Sequence, residues 1–139
     1  MNTSPLVRTG VRFGTALAAA GCMLHAAEKV DVSKLPPPAQ QTGVTYEKDI
    51  RPIFEKHCFK CHGEEKPKAR LRLDSREGVL KGSREGKVIE VGDSARSPLV
   101  HSVARLGDED HWMPPPDKGE PLTPEQIGLI RAWIDQGAR

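Results

Sequence analysis

The sequence predicts a small, mostly α-helical domain with short strands and loops between the helices, and two segments carry that expectation. Tyr46, Ile50, Ile53/Phe54 and His57/Cys58 recur at intervals of three and four, the stripe of an amphipathic helix. Ile127, Ile130, Trp133 and Ile134 form a second such stripe, with start and stop signals at its two ends. The stretch between them is irregular. The whole chain has 139 residues, room for one small domain.

Residues 1–27 stand apart from that domain. Arg8 and Arg12 precede an apolar run from Phe13 to Leu24, and Ala26-Ala27 follows. That order is the pattern of a secretory signal peptide, and the run is too short and too rich in Ala and Gly for a membrane span. Ala19-Ala20-Gly21-Cys22 is an imperfect lipidation box, so the expected location is periplasmic, with lipid anchoring at Cys22 as the alternative. A membrane association is expected only if Cys22 is lipidated or the signal stays uncleaved. With the two basic side chains of residues 1–27 set aside from the total of 21, the remainder carries 19 charges of each sign. Such a balance excludes a non-specific nucleic-acid binder and a polybasic membrane protein.

Residues 28–45 read as a linker, since Pro36-Pro37-Pro38 followed by Gln40-Gln41 favours an extended, solvated segment. The domain proper is then 46–139. In the first helix Pro52 fits best in the first turn, where no amide bond is lost, which places the regular start near Asp49. Leu71 and Leu73 alternate with Arg70, Arg72 and Asp74, and this predicts a short strand; Val88-Ile89-Glu90-Val91 predicts another. Ser97-Pro98 offers an N-cap and first position for a helix over Leu99–Leu106. At the last helix Thr123 caps, Pro124 follows, Gln126 completes a capping box, and Gly137 ends the element.

Apolar material for a core is thin. Beyond residue 27 only Tyr46, Phe54, Phe59, Trp112 and Trp133 are aromatic. A domain of this size then calls on disulfides, a metal or a bulky cofactor. Only Cys58 and Cys61 remain beyond the leader, too few for a disulfide scaffold or for a structural zinc site on thiols alone.

Those two cysteines carry the chemistry. Cys58-Phe59-Lys60-Cys61-His62 is C-x-x-C-H, the attachment signature of c-type haem. Thiols three positions apart on a helical turn reach two vinyl groups on one porphyrin edge, and the adjacent His62 supplies the proximal axial bond. The competing readings are a thioredoxin-like redox pair, a zinc site completed from His57, His101 or His111, and a plain disulfide. Beyond the leader Met113 is the sole methionine, on the stiff loop Trp112-Met113-Pro114-Pro115-Pro116. It is the expected sixth ligand, with His101 or His111 as bis-histidine alternatives and a vacant site as the last. Arg51, Lys56, Lys60, Lys66, Lys68, Arg70 and Arg72 outnumber Glu55, Glu64 and Glu65 around the motif. This local excess suggests either a solvated face or a docking patch for an acidic redox partner. No nucleophile elbow, H-E-x-x-H or phosphate loop is present.

From Tyr46 to Ala138 the chain resembles the planctomycete-type cytochrome c domain, on the runs "DIRPIFEKHCFKCHG", "LRLDSREGVLKG", "VGDSARSPLV", "DEDHWMPP" and "LTPEQIGLIRAWIDQGA". Val91 departs from it, standing where that family often has proline. The resemblance implies one covalent haem on Cys58 and Cys61, with His62 proximal and Met113 distal. The expected function is an exported mono-haem carrier of single electrons that does no bond chemistry of its own. A haem-based sensor with a labile sixth site and a non-haem module with a C-x-x-C disulfide are the alternatives.

Overall fold

The C-terminal helix organises the molecule. The computed structural model describes residues 29–139, so the expected signal peptide over residues 1–27 and Cys22 lie outside the described residues. In chain order the helices are α1 (Arg51–His57), α2 (Phe59–His62), α3 (Arg76–Lys81), α4 (Pro98–Val103) and α5 (Pro124–Asp135). A wide π-type turn, Tyr46–Ile50, leads into α1, and Pro52 sits in the first turn of that helix, where it removes no backbone bond. The fold is mostly α, as expected, and α5 starts with the full capping box of Thr123 and Gln126. Past Asp135 the chain reverses at Gly137 (φ +100), with Gly137 N–H donating to Ile134 O and Ala138 N–H to Trp133 O.

The core lies between α5, α1 and the π turn. Trp133, Tyr46 and Phe54 are all but fully buried, with Tyr46 5.9 Å from Trp133 and 6.4 Å from Phe54 between ring centroids, tilted in both pairs. The backbone closes around them. Arg139 O accepts from both Tyr46 N–H (2.7 Å) and Trp133 Nε1–H (2.8 Å). Tyr46 Oη–H donates to Leu73 O at 2.6 Å, so the ring that anchors the core also holds the segment after α2.

Three sequence expectations fail, each for a visible reason. No strand forms among the described residues; the one β-bridge is the tight pair Ser83–Gly86. Leu71 and Leu73 are buried and alternate with outward Arg72 and Asp74, as in a strand. Their backbone groups, however, are taken by His62 and Tyr46 rather than by a neighbouring strand. Likewise Val88 O accepts from Leu99 N–H, and Glu90 N–H donates to Ser97 Oγ, so 88–91 is bound to the start of α4. That bond also takes the hydroxyl expected to cap α4, and Ser97 makes no side-chain cap. The helix stops at Val103, short of Leu106, because Arg105 (φ +53) and Gly107 (φ +74) turn the chain away.

The third correction concerns residues 29–45, expected to be a solvated linker. They form a strap along α5. Leu35 and Val44 are buried, Ala39 N–H donates to Gly128 O at 2.9 Å, and Gln136 Nε2–H donates to Gln41 O at 2.7 Å. Arg131 donates to Pro36 O, and Gly128 permits the approach: a Cβ there would lie 2.8 Å from Pro37 O. Polyproline stiffness explains the extended form, but an extended segment can still be packed. Among the described residues no helix is long and apolar enough to cross a membrane.

Burial pushes the Tyr46 hydroxyl from its usual 10.0 up to about 12. The unfolded chain therefore loses this proton first, so stability is full below pH 10 and falls as pH rises towards 12. The loss reaches about 2–3 kcal/mol. As Tyr46 is the sole tyrosine, difference absorbance near pH 11 should show no more than roughly a tenth of the full phenolate signal while circular dichroism reports a folded chain. A ring half-ionised near pH 10 in the folded state would contradict this.

Candidate functional site

A single helical turn sets out the three residues of the C-x-x-C-H motif. Cys58 N–H still donates to Phe54 O (2.7 Å), completing α1, and Cys58 O accepts from Cys61 N–H (3.1 Å) and His62 N–H (2.9 Å), starting α2. The kink at Cys58 (φ −126) is thus bonded on both sides. Gly63 then lets the chain leave, since a Cβ at this position would lie 2.7 Å from Phe59 O. Both thiols are free and half-buried.

These residues line one wall of a cavity of about 870 Å³. Leu71, Leu73, Val88, Leu99 and Val103 supply apolar walls, and Met113 lines the cavity from the loop beyond α4. The volume lies near the top of the usual range for cofactor and ligand sites. Lys56, Lys60, Lys87 and Lys118, all exposed, stand at its edge.

His62 is held as a ligand is held. Its Nδ1 lies 3.2 Å from Leu71 O, where it donates, and this tautomer leaves the Nε2 lone pair free. Burial lowers the imidazole pKa, with the Leu71 bond opposing in part, so the ring is neutral at pH 7. Leu73 N–H donates to His62 O (2.8 Å), fixing the same segment a second time.

Met113 is positioned mainly through backbone. Its N–H donates to Ser102 O at 3.0 Å, tying the loop to α4. Arg105 donates from Nη2 to Pro114 O (3.0 Å) and lies 5.9 Å over the Trp112 ring, while Trp112 Nε1–H donates to Gly107 O (3.1 Å). The structure thus brings Cys58, Cys61, His62 and Met113 to one cavity. Among the alternatives, His111 and His57 also line it. His101 does not: its Nε2 is 2.7 Å from Ala95 O, and it faces a second, smaller cavity. Sequence reasoning missed the Leu71 and Ser102 carbonyls, which carry no side-chain signal, and Arg105, whose role appears only with the loop folded.

The competing readings fare differently. A redox-active C-x-x-C pair needs a depressed thiol pKa. Here burial, with Cys61 beside it, pushes Cys58 from 9.0 up to about 12. Among the described residues no group of three or more His, Cys, Asp and Glu side chains is placed to hold a metal ion, so the zinc site is not assembled. The residues lining the cavity fit a haem: two free thiols, an imidazole held by Leu71 O, a methionine and an apolar lining, with charged residues of both signs among them, Lys56, Lys60, Lys87 and Lys118 beside Glu85, Asp110 and Glu120.

Fold and site together define a small α-helical domain of the cytochrome c class. Residues 58–117 match the family described as Planctomycete cytochrome C, which supports a planctomycete-type cytochrome c domain over that stretch and suggests a haem c protein. No curated protein and no solved structure matches the chain.

The Cys58 thiol gives a direct check. At about pH 8 its thiolate fraction in the folded, haem-free protein is roughly 10³-fold below that of a free cysteine. Alkylation by iodoacetamide should be slow in proportion and keep accelerating above about pH 10, where free cysteine has levelled off. A rate equal to free cysteine would contradict the burial argument.

Proposed function

We propose that this protein is an exported mono-haem c-type cytochrome that carries single electrons between redox proteins. One observation carries the reading: both free thiols of the C-x-x-C-H motif, His62 and Met113 line the same 870 Å³ cavity. Bound there, a haem supplies a one-electron iron couple. Cys58 and Cys61 anchor it through thioether bonds to one wall. His62 offers Nε2 to the iron while Leu71 O keeps the ring in that tautomer and orientation. Met113, which lines the same cavity from the loop after α4, would offer the iron a neutral sulfur, and such a ligand would favour the reduced state relative to a second histidine. Leu71, Leu73, Leu99 and Val103 keep water from the site. The protein does no bond chemistry of its own. Arg8, Arg12 and the apolar run 13–24 support export to the periplasm, with lipid anchoring at Cys22 as the other form.

Expression in a host that matures such proteins should give a coloured product whose intact mass carries one haem beyond the polypeptide. Its reduced spectrum should be that of a low-spin c-type haem, and the ferrous form should bind carbon monoxide only slowly. Met113→Ala should keep the haem and bind carbon monoxide readily. A colourless product would overturn the proposal, and fast binding by the unaltered protein would overturn Met113 ligation in favour of a sensor with a labile sixth site.

Lys56, Lys60 and Lys87 support docking of an acidic redox partner, although Glu85, Asp110 and Glu120 line the same cavity and Lys118 is paired with Asp117 at 2.9 Å. Raising ionic strength from roughly 10 to roughly 100 mM shortens the Debye length from about 30 to about 10 Å. Electron transfer to an acidic acceptor should slow several-fold over that range, and a flat profile would leave these lysines a solvated face only.

A further inference from the structure

The strap begins beside the methionine loop. Asp31 accepts from Ser33 N–H and Oγ–H, making a tight turn over Val32–Lys34, and Val30 just before that turn reaches back to the loop after α4. Its Cγ2 lies 3.5 Å from where a Cβ on Gly107 would stand. Gly107 is the residue whose carbonyl holds the Trp112 indole, and Trp112 adjoins Met113. Val30, Leu106, Gly107 and His111 also border a second cavity of about 300 Å³, so the loop has room to relax on this side. From Leu35 onward the strap is fixed to α5 at Gly128, Arg131 and Gln136.

We propose that the strap is a positioning element for the sixth ligand: anchored on α5, it presents Val30 against Gly107 and so holds the Trp112–Met113 loop over the large cavity. The proposal rests on Met113 ligation as argued above. A neutral thioether competes with loop opening, so the open fraction follows the loop's own stability. Each tenfold change in that fraction corresponds to about 1.4 kcal/mol, and removing two half-buried methyl groups, as Val30→Ala does, is worth roughly half of that. Residues 29–45 lie outside the matched stretch 58–117, so this support is added by the chain around the family core.

The test uses the full-length, haem-loaded protein with Val30→Ala and Val30→Asp, and with Val32→Asp as a control on a strap residue that is 46% exposed. Three quantities are read: the near-infrared methionine-to-ferric-haem charge-transfer band, the rate of carbon monoxide binding to the ferrous form, and the urea midpoint. Val30→Asp should weaken the band and speed carbon monoxide binding about tenfold, Val30→Ala by less, and Val32→Asp should leave both unchanged. If the Val30 variants lower the urea midpoint while band and rate stay as in the unaltered protein, the strap supports the fold alone and the proposal is overturned. It is overturned likewise if nothing changes. If the unaltered protein lacks the band and binds carbon monoxide freely, Met113 ligation itself fails, and the strap's role falls with it.

Discussion

An imidazole is oriented for ligation when one of its nitrogens is engaged by something rigid, and in this protein the Leu71 carbonyl engages the half-buried His62 in that way, as the proposed function requires. Much of the surrounding structure follows from keeping that carbonyl in place. The segment after α2 must return across the histidine in extended form. It is held there by Leu73 N–H on His62 O and by the Tyr46 hydroxyl on Leu73 O. Tyr46 in turn is fixed by Trp133 and by the terminal carbonyl of Arg139. The path from the C-terminal helix to the histidine is therefore continuous and short.

The core and the cavity divide the domain between them. Aromatic side chains of α1, α5 and the π turn pack on one another, whereas the aliphatic residues of α4 and the 71–73 segment face the 870 Å³ space. This division is in keeping with the small number of aromatics beyond residue 27. A second wall of large rings would fill the volume that the site requires. The methionine loop stands on the far side, held by one backbone bond to α4, one arginine and the strap.

The strap illustrates how composition and packing can point in different directions. Three consecutive prolines and two glutamines look like solvated chain, and the backbone is extended, as prolines require. Yet Leu35 and Val44, spaced nine residues apart, are buried, and the carbonyls of Pro36 and Gln41 are bonded to the side chains of Arg131 on α5 and of Gln136 just beyond it. Two isolated apolar residues in a polar stretch leave no periodic trace. The false strands have a related origin. Period-two alternation reports an extended backbone with one buried face, and says nothing about whether its hydrogen bonds go to another strand or to a histidine and a tyrosine.

Local features were legible wherever the physics is local. The capping box and Gly137 fix α5 through bonds within a few residues, Pro52 fixes the start of α1, and the spacing of Cys58, Cys61 and His62 puts all three on one helical turn whatever surrounds it. Met113 could be singled out because no other methionine remains beyond the leader. Folding alone decided which histidine joined it. His101 and His111 are equivalent in composition, but α4 turns the first towards Ala95 and leaves the second beside the cavity. Folding also selected the carbonyls that meet the His62 ring and the Met113 amide, since every residue has a carbonyl and only long-range packing of Tyr46, Leu73 and Ser102 determines which one a ring or an amide meets.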